Sequence, residues 1–90
     1  MKTIRYSNKY KKDFKKYQYQ TKKLDKLIKV ITALINEEVL PAELNTHKLT
    51  GKYGGCLECH IEGDFLLIWF DEKNDTIVLF RLGSHSELFR

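Results

Sequence analysis

Ninety residues make one domain, residues 1–90, because domains commonly run to ~100–150 residues and a chain this short buries roughly 60–65% of its unfolded surface in a single core. Hydrophobic residues at 42% against 31% charged suit a folded soluble protein and exclude a disordered tail. No apolar run reaches the ~18 residues of a membrane span, and the N-terminus lacks the apolar stretch of a signal peptide, so a cytoplasmic protein with no membrane partner is expected. The net charge of +4 conceals a split. Residues 1–35 hold 11 Lys/Arg and 2 Asp/Glu, whereas residues 36–90 hold 5 and 10. The first third is therefore placed to meet a polyanion or an acidic partner, although solvated helix faces fit the same count.

Residues 2–6 (KTIRY) alternate and read as a short strand. Ser7 offers a helix N-cap. From Asn8 the period changes: Tyr10, Phe14 and Tyr17 recur at i, i+4, i+7 on one helical face. A second helix is predicted over 22–36, with Leu24, Leu27, Ile28, Ile31, Leu34 and Ile35 on its core face and Lys22, Lys26 and Lys29 on another. The polar stretch Tyr19–Thr21 makes the pair a helical hairpin. Pro41 ends the helix, and residues 40–55, with Gly51, Gly54 and Gly55, read as an irregular connection. Three strand-like runs follow at 56–62, 65–70 and 76–82, separated at hairpin lengths by Gly63-Asp64 and Asp71–Asp75. The middle run is apolar on both faces, so it is predicted to be the buried central strand. The fold class is α+β, ordered β-α-α-β-β-β, with a mostly antiparallel sheet and a helical hairpin on one face.

Cys56-Leu-Glu-Cys59-His60 matches the C-x-x-C-H pattern of haem attachment. Inside a strand, however, residues three apart face opposite sides with Cα atoms ~10 Å apart. That exceeds the ~7 Å limit for a disulfide and splays two zinc ligands. Cys59 alternates with Leu57 and Ile61 and is expected to be a small core residue. No cofactor is implied.

The histidines are more informative. His60 alternates with Glu58 and Glu62 and faces away from Leu57, Cys59 and Ile61. Arg81 interrupts the apolar run Ile77–Leu82, where a guanidinium needs an anionic partner or a groove to water. In a meander, His60, Arg81 and His85 can converge, with Asp64 at the hairpin nearby. Imidazoles exchange protons near neutral pH, and a guanidinium forks onto phosphate oxygens. RNA supplies its own nucleophile, the 2′-hydroxyl, so such a set suits phosphodiester cleavage without a metal. Three unrelated surface histidines and a salt-bridged arginine fit the same spacing.

A wider pattern runs the length of the chain: Leu40-Pro41-Ala42-Glu43, His47, Leu49-x-Gly51, Gly55, Glu58-Cys59-His60-Ile61, Asp64-Phe65-Leu66-Leu67-Ile68 and Gly83-Ser84-His85-Ser86-x-Leu88-Phe89. In H-x12-H-x3-D followed by G-S-H-S-x-L-F, the chain resembles the YafQ-like branch of the RelE/ParE toxins of bacterial type II toxin–antitoxin pairs. The resemblance implies the small RelE-like fold and a metal-independent, bacterial, cytoplasmic endoribonuclease that cleaves messenger RNA on the ribosome. It also implies an antitoxin with an acidic segment that wraps the toxin. Catalytic roles fall on His47, His60, Asp64 and His85, with His85 as general acid, His60 or His47 as base or charge stabiliser, and Asp64 as base or imidazole orienter. Arg81, Phe65 and Phe89 match substrate-binding positions. Phe65 stands where the family often has Trp, and Leu57 where it often has Arg. The lysines of the basic segment, notably Lys11, Lys15, Lys22 and Lys26, are expected to dock ribosomal RNA.

Two other functions fit the architecture. A gyrase poison of the ParE branch shares the fold but need not carry the histidine set. A plain basic RNA- or protein-binding module is the other, though an RNP-type aromatic motif or Gly-rich phosphate loop is missing from the sequence.

Overall fold

Alternating and doubly apolar runs in the second half of the chain build a sheet, and the two amphipathic segments before them cover one of its faces. The computed structural model describes residues 1–89. In chain order they form β1 (Thr3–Tyr6), α1 (Asn8–Tyr17), α2 (Thr21–Ile35), β2 (His47–Lys48), β3 (Leu57–Glu62), β4 (Phe65–Glu72), β5 (Thr76–Gly83) and α3 (His85–Leu88). Single 3₁₀ turns lie at Ala42–Leu44 and Gly51–Tyr53. The sheet order is β1-β5-β4-β3-β2. β1 runs parallel to β5, and the other pairings are antiparallel.

The expected order holds, with two short additions. β2 lies within the connection read as irregular, and α3 follows the last strand. Two residues of strand and one turn of helix are too short to show a hydrophobic period. Ser7 caps α1 as anticipated: its hydroxyl accepts the Tyr10 N–H at 2.9 Å and donates to the Phe80 carbonyl at 2.7 Å.

β4 is buried on both faces and separates two apolar layers. Toward the helices lie Cys59, Ile61, Phe65, Leu67, Trp69, Leu79 and Leu82, packed on Tyr10, Tyr17, Leu27 and Val30. On the other face, Leu66, Ile68 and Cys56 pack against Tyr53 and Leu88. Cys56 and Cys59 thus belong to different cores. Burial pushes the Cys59 thiol up to about 12, which keeps it an inert core group.

α1 lies along β5 and α2 along β3. The helices flank a groove lined by Tyr6, Phe14, Lys15, Leu24, Ile28 and Ile31. This corrects the core face predicted for α2: Ile28 is 59% exposed at the groove, while Val30 is buried. The helix is rotated so that Leu27 and Val30 point straight at the sheet.

Candidate active site

The histidines expected to carry chemistry lie on the face opposite α1 and α2, beside the second apolar layer. β2 makes the first part. His47 stands directly across from Glu58 on β3, and Glu58 in turn stands across from Ile68 on β4. A residue flanked by strands on both sides is shielded, and the Glu58 side chain is only 5% exposed. Asn45, in the left-handed region at φ 50°, turns the chain so that its carbonyl accepts from His47 Nδ1 at 2.7 Å. His47 Nε2 then lies 3.3 Å from Glu58 Oε1. His60 Nε2 approaches the same oxygen at 3.6 Å. The two imidazole rings are 6.2 Å apart between centroids. Glu58 Oε2 is buried without a hydrogen-bond partner.

α3 makes the second part. Ser84 and Glu87 form a reciprocal capping box, in which Ser84 N–H donates to Glu87 Oε1 at 2.8 Å and Glu87 N–H donates to Ser84 Oγ at 3.3 Å. The cap presents His85 on the exposed first turn, its ring 4.7 Å from that of Phe89. Phe89 also meets Tyr53 edge-on at 5.3 Å. His60 pairs with Leu66, and Leu66 pairs with Gly83. Two strand spacings, roughly 10 Å, therefore separate His60 from Gly83 at the backbone. His85 follows two residues later, so the proposed acid and base flank one face of the sheet.

Three of the sequence expectations change. Asp64 does not orient an imidazole; its Oδ1 accepts the backbone N–H of His85 at 2.9 Å and so fixes the start of α3. Phe65 is 2% exposed beneath Tyr17, with ring centroids 4.7 Å apart, because its place in β4 points it into the helix-side core. No face remains for a base to stack on. Arg81 does not present a free fork: Nε donates to Asp13 Oδ2 at 2.7 Å, Nη2 to Asp13 Oδ1 at 3.2 Å, and Nη1 to the Tyr53 hydroxyl at 3.1 Å. The anionic partner it required is a buried aspartate on α1. The lysines divide as well. Lys26 and Lys29 flank a cavity of about 740 Å³ that reaches His60. Lys11 and Lys15 line the groove between the helices instead. Lys22 is exposed on α2.

Sequence reading missed Glu58, Asp13 and Tyr53. Glu58 shares the His60 face by simple alternation, but its burial depends on the two-residue β2. Asp13 sits among lysines and gives no sign that it turns inward.

A family model described as "Bacterial toxin of type II toxin-antitoxin system, YafQ" matches residues 2–90. The chain belongs to the YafQ family. It is 39% identical over 88 residues to the mRNA interferase toxin YafQ of Escherichia coli K12, covering 96% of this chain and 94% of that protein. The crystal structure of the E. coli DinJ–YafQ complex superposes with a TM-score of 0.86 at 33% identity, covering all of both chains. A metal-bound toxin from Helicobacter pylori gives 0.87 at 40% identity, over 99% of this chain and all of that one. The α+β YafQ fold and the toxin class expected from the motif pattern are thereby established, and in the DinJ–YafQ complex the toxin's partner is DinJ. The enzyme class expected here agrees with the name mRNA interferase carried by the E. coli relatives.

Proposed function

We propose that this YafQ-family toxin is a ribosome-dependent endoribonuclease of the bacterial cytoplasm that cuts messenger RNA without requiring a metal, and that a cognate antitoxin with an acidic segment neutralises it. The observation that carries the reading is the arrangement of three histidines on one face of the sheet. His47 and His60 share the buried Glu58 carboxylate, and His85 follows the end of β5, with β4 lying between β5 and the strand of His60.

In the proposed reaction, the 2′-hydroxyl loses its proton to the His47–Glu58–His60 side and attacks the adjacent phosphorus. The P–O5′ bond breaks, and the departing 5′-oxygen takes a proton from His85. The products are a 2′,3′-cyclic phosphate and a 5′-hydroxyl. An internal nucleophile needs no metal-bound hydroxide. The Glu58 carboxylate, 3.3 and 3.6 Å from the two Nε2 atoms, stabilises the positive charge that a ring gains as the proton arrives. Asp64 and Phe89 hold His85, and the Phe89 ring offers a stacking surface beside it. Arg81, engaged by Asp13 and Tyr53, acts as a fixed positive charge and a brace for α3. Lys22 and Lys26, with Lys11 and Lys15, supply non-specific attraction to ribosomal RNA.

Primer extension on a translated message tests the reading. The wild-type toxin produces discrete internal 5′ ends, and His85→Ala reduces them by ~10²–10⁴ while still binding antitoxin. A His85→Ala protein that stays fully toxic overturns it in favour of a non-enzymatic toxin.

A further inference from the structure

The face that carries the histidines also carries a row of aromatic rings, and an extra residue in β5 begins it. Ile68 of β4 stands across from Arg81, whereas the next residue, Trp69, stands across from Leu79. Phe80 therefore has no residue opposite it and forms a β-bulge, a device that re-aims side chains and is common beside active sites. Leu79 and Leu82 face the helices, while Phe80 packs with Tyr53 on the histidine side. From His85 the rings run on without a gap. Phe89 comes first, at 4.7 Å between ring centroids, then Tyr53 after 5.3 Å, Phe80 after 5.9 Å and Phe70 after 6.0 Å. Tyr53 is buried, but Phe70, Phe80 and Phe89 are each half-buried, so part of every one meets solvent.

Cations flank the row. The Ser7 hydroxyl donates to the Phe80 carbonyl at 2.7 Å and seats the first turn of α1 beside that ring, where Lys9 Nζ lies 5.9 Å from the ring centre. Lys52 Nζ lies 5.3 Å from the centre of the Tyr53 ring. Among the described residues neither lysine is paired with a carboxylate. Past Phe70 the strand turns acidic at Asp71 and Glu72, which Lys2 and Arg5 hold, so the row has a defined end. Half-exposed rings with unpaired cations beside them suit single-stranded RNA, whose bases stack on aromatic faces while its phosphates meet lysine. Continuity with His85 favours RNA over an apolar protein segment, because a strand stacked on Phe89 meets the other rings next in line.

We propose that Phe80 and Phe70, with Lys9, form a stacking shelf that binds unpaired bases of the messenger flanking the cleaved bond. The position of those bases beside the cut rests on the nuclease reading above; the affinity for single-stranded RNA does not.

Fluorescence anisotropy tests the shelf, with a labelled single-stranded oligoribonucleotide that is 2′-O-methylated so that it cannot be cut. The strand should bind more tightly than its duplex. Phe80→Leu and Phe70→Leu should each weaken it by roughly 5- to 150-fold, the scale of one lost stack, and Phe80→Tyr should keep the affinity of the wild type. Thermal melting confirms that the variants fold. Lys9→Gln should flatten the slope of log affinity against log salt by about 0.7, and an unchanged slope overturns the part given to Lys9. No binding of the strand, equal affinity for an abasic strand with the same phosphates, or full affinity in both leucine variants overturns the shelf. Leucine variants that lose antitoxin but keep RNA overturn it in favour of a protein contact. Cleavage on programmed ribosomes tests the position: Phe80→Leu should raise KM with kcat little changed, and an unchanged KM overturns the placement beside the cut. Absence of cleavage by the wild-type protein overturns the nuclease reading, and that placement with it, while the anisotropy still decides the shelf.

Discussion

Asp13 on α1 and Arg81 on β5 are joined by two hydrogen bonds, at 2.7 and 3.2 Å. The same Asp13 Oδ2 accepts the Leu82 N–H at 3.0 Å. β1 pairs with β5 only as far as Leu79, so this carboxylate closes the stretch of strand edge that β1 leaves open. Arg81 passes the link on through Tyr53, whose hydroxyl donates to the Leu88 carbonyl at 2.8 Å. One aspartate thereby ties α1 to β5 and to the short helix bearing His85. Asp13→Ala strands a largely buried guanidinium and an N–H, and should cost about 3 kcal/mol. A lower urea midpoint with an unchanged m-value is the expected result. A variant within ~0.5 kcal/mol of wild type would show that the pair is screened by solvent.

The two phenylalanines expected to hold substrate should separate cleanly. Phe65 fills the core under Tyr17, so Phe65→Ala should lose about 3–5 kcal/mol of stability. Phe65→Leu, which keeps most of the volume, should cut messenger almost as well as wild type. Phe89 is partly exposed against His85. Phe89→Ala should lower cleavage by roughly 5- to 150-fold, the scale of ~1–3 kcal/mol for a lost stacking face. Wild-type cleavage by Phe89→Ala would remove it from the site.

Glu87 makes stability depend on acid pH. Its carboxylate accepts from the Ser84 backbone N–H and the Tyr17 hydroxyl, with Lys16 nearby, and these hold its pKa down to about 2 from 4.5. A depressed carboxylate stabilises the fold above its unfolded pKa, and the contribution is lost as pH falls from about 4.5 toward 2. After allowance for its partial exposure, the contribution is of order 1–2 kcal/mol. The stability gap between wild type and Glu87→Gln should therefore be widest near neutrality and close by pH ~2. Gly83 belongs to the same arrangement. A Cβ there would lie 2.8 Å from Glu87 Oε1, so Gly83→Ala should displace the capping carboxylate and erase most of that pH dependence. An equal gap at every pH would mean that Glu87 is not held in this way.

Most of the fold was legible because its larger elements carry strong periods. The aromatic stripe of α1 and the doubly apolar β4 each name their own surroundings, and the apolar period of α2 marks a helix though not the rotation that buries Val30 and exposes Ile28. The site was legible only in pieces. His60 and Glu58 share a face by alternation, yet His47 reaches them through a two-residue strand set by a left-handed Asn45, which has no periodic signature. Arg81 announced that it needed an anion, but not which one. Asp13 lies 68 positions away in a lysine-rich helix, and only packing reveals that it turns inward. Phe65 failed as a substrate residue for a related reason: a motif position fixes residue type, whereas the face it occupies is fixed by the register of β4.

The lysines offer a graded test of how the charge split is used. Lys22 and Lys26 lie one turn apart on α2, and Lys26 borders the cavity that reaches His60, pairing loosely with Glu62 at 3.5 Å. Lys11 and Lys15 are one turn apart on α1, beside the groove between the helices. Each phosphate neutralised adds about 0.7–0.9 to the slope of log affinity against log salt. Reversing either pair to glutamate should flatten that slope by roughly 1.5 for ribosome binding, if both lysines of the pair contact RNA. The α2 pair should also reduce cleavage once binding is saturated, because Lys26 lines the cavity that reaches His60, whereas the α1 pair should affect binding alone. Slopes unchanged in both variants would reduce these lysines to solvated helix faces. A cleavage defect confined to the α1 pair would place the messenger along the opposite side of the molecule.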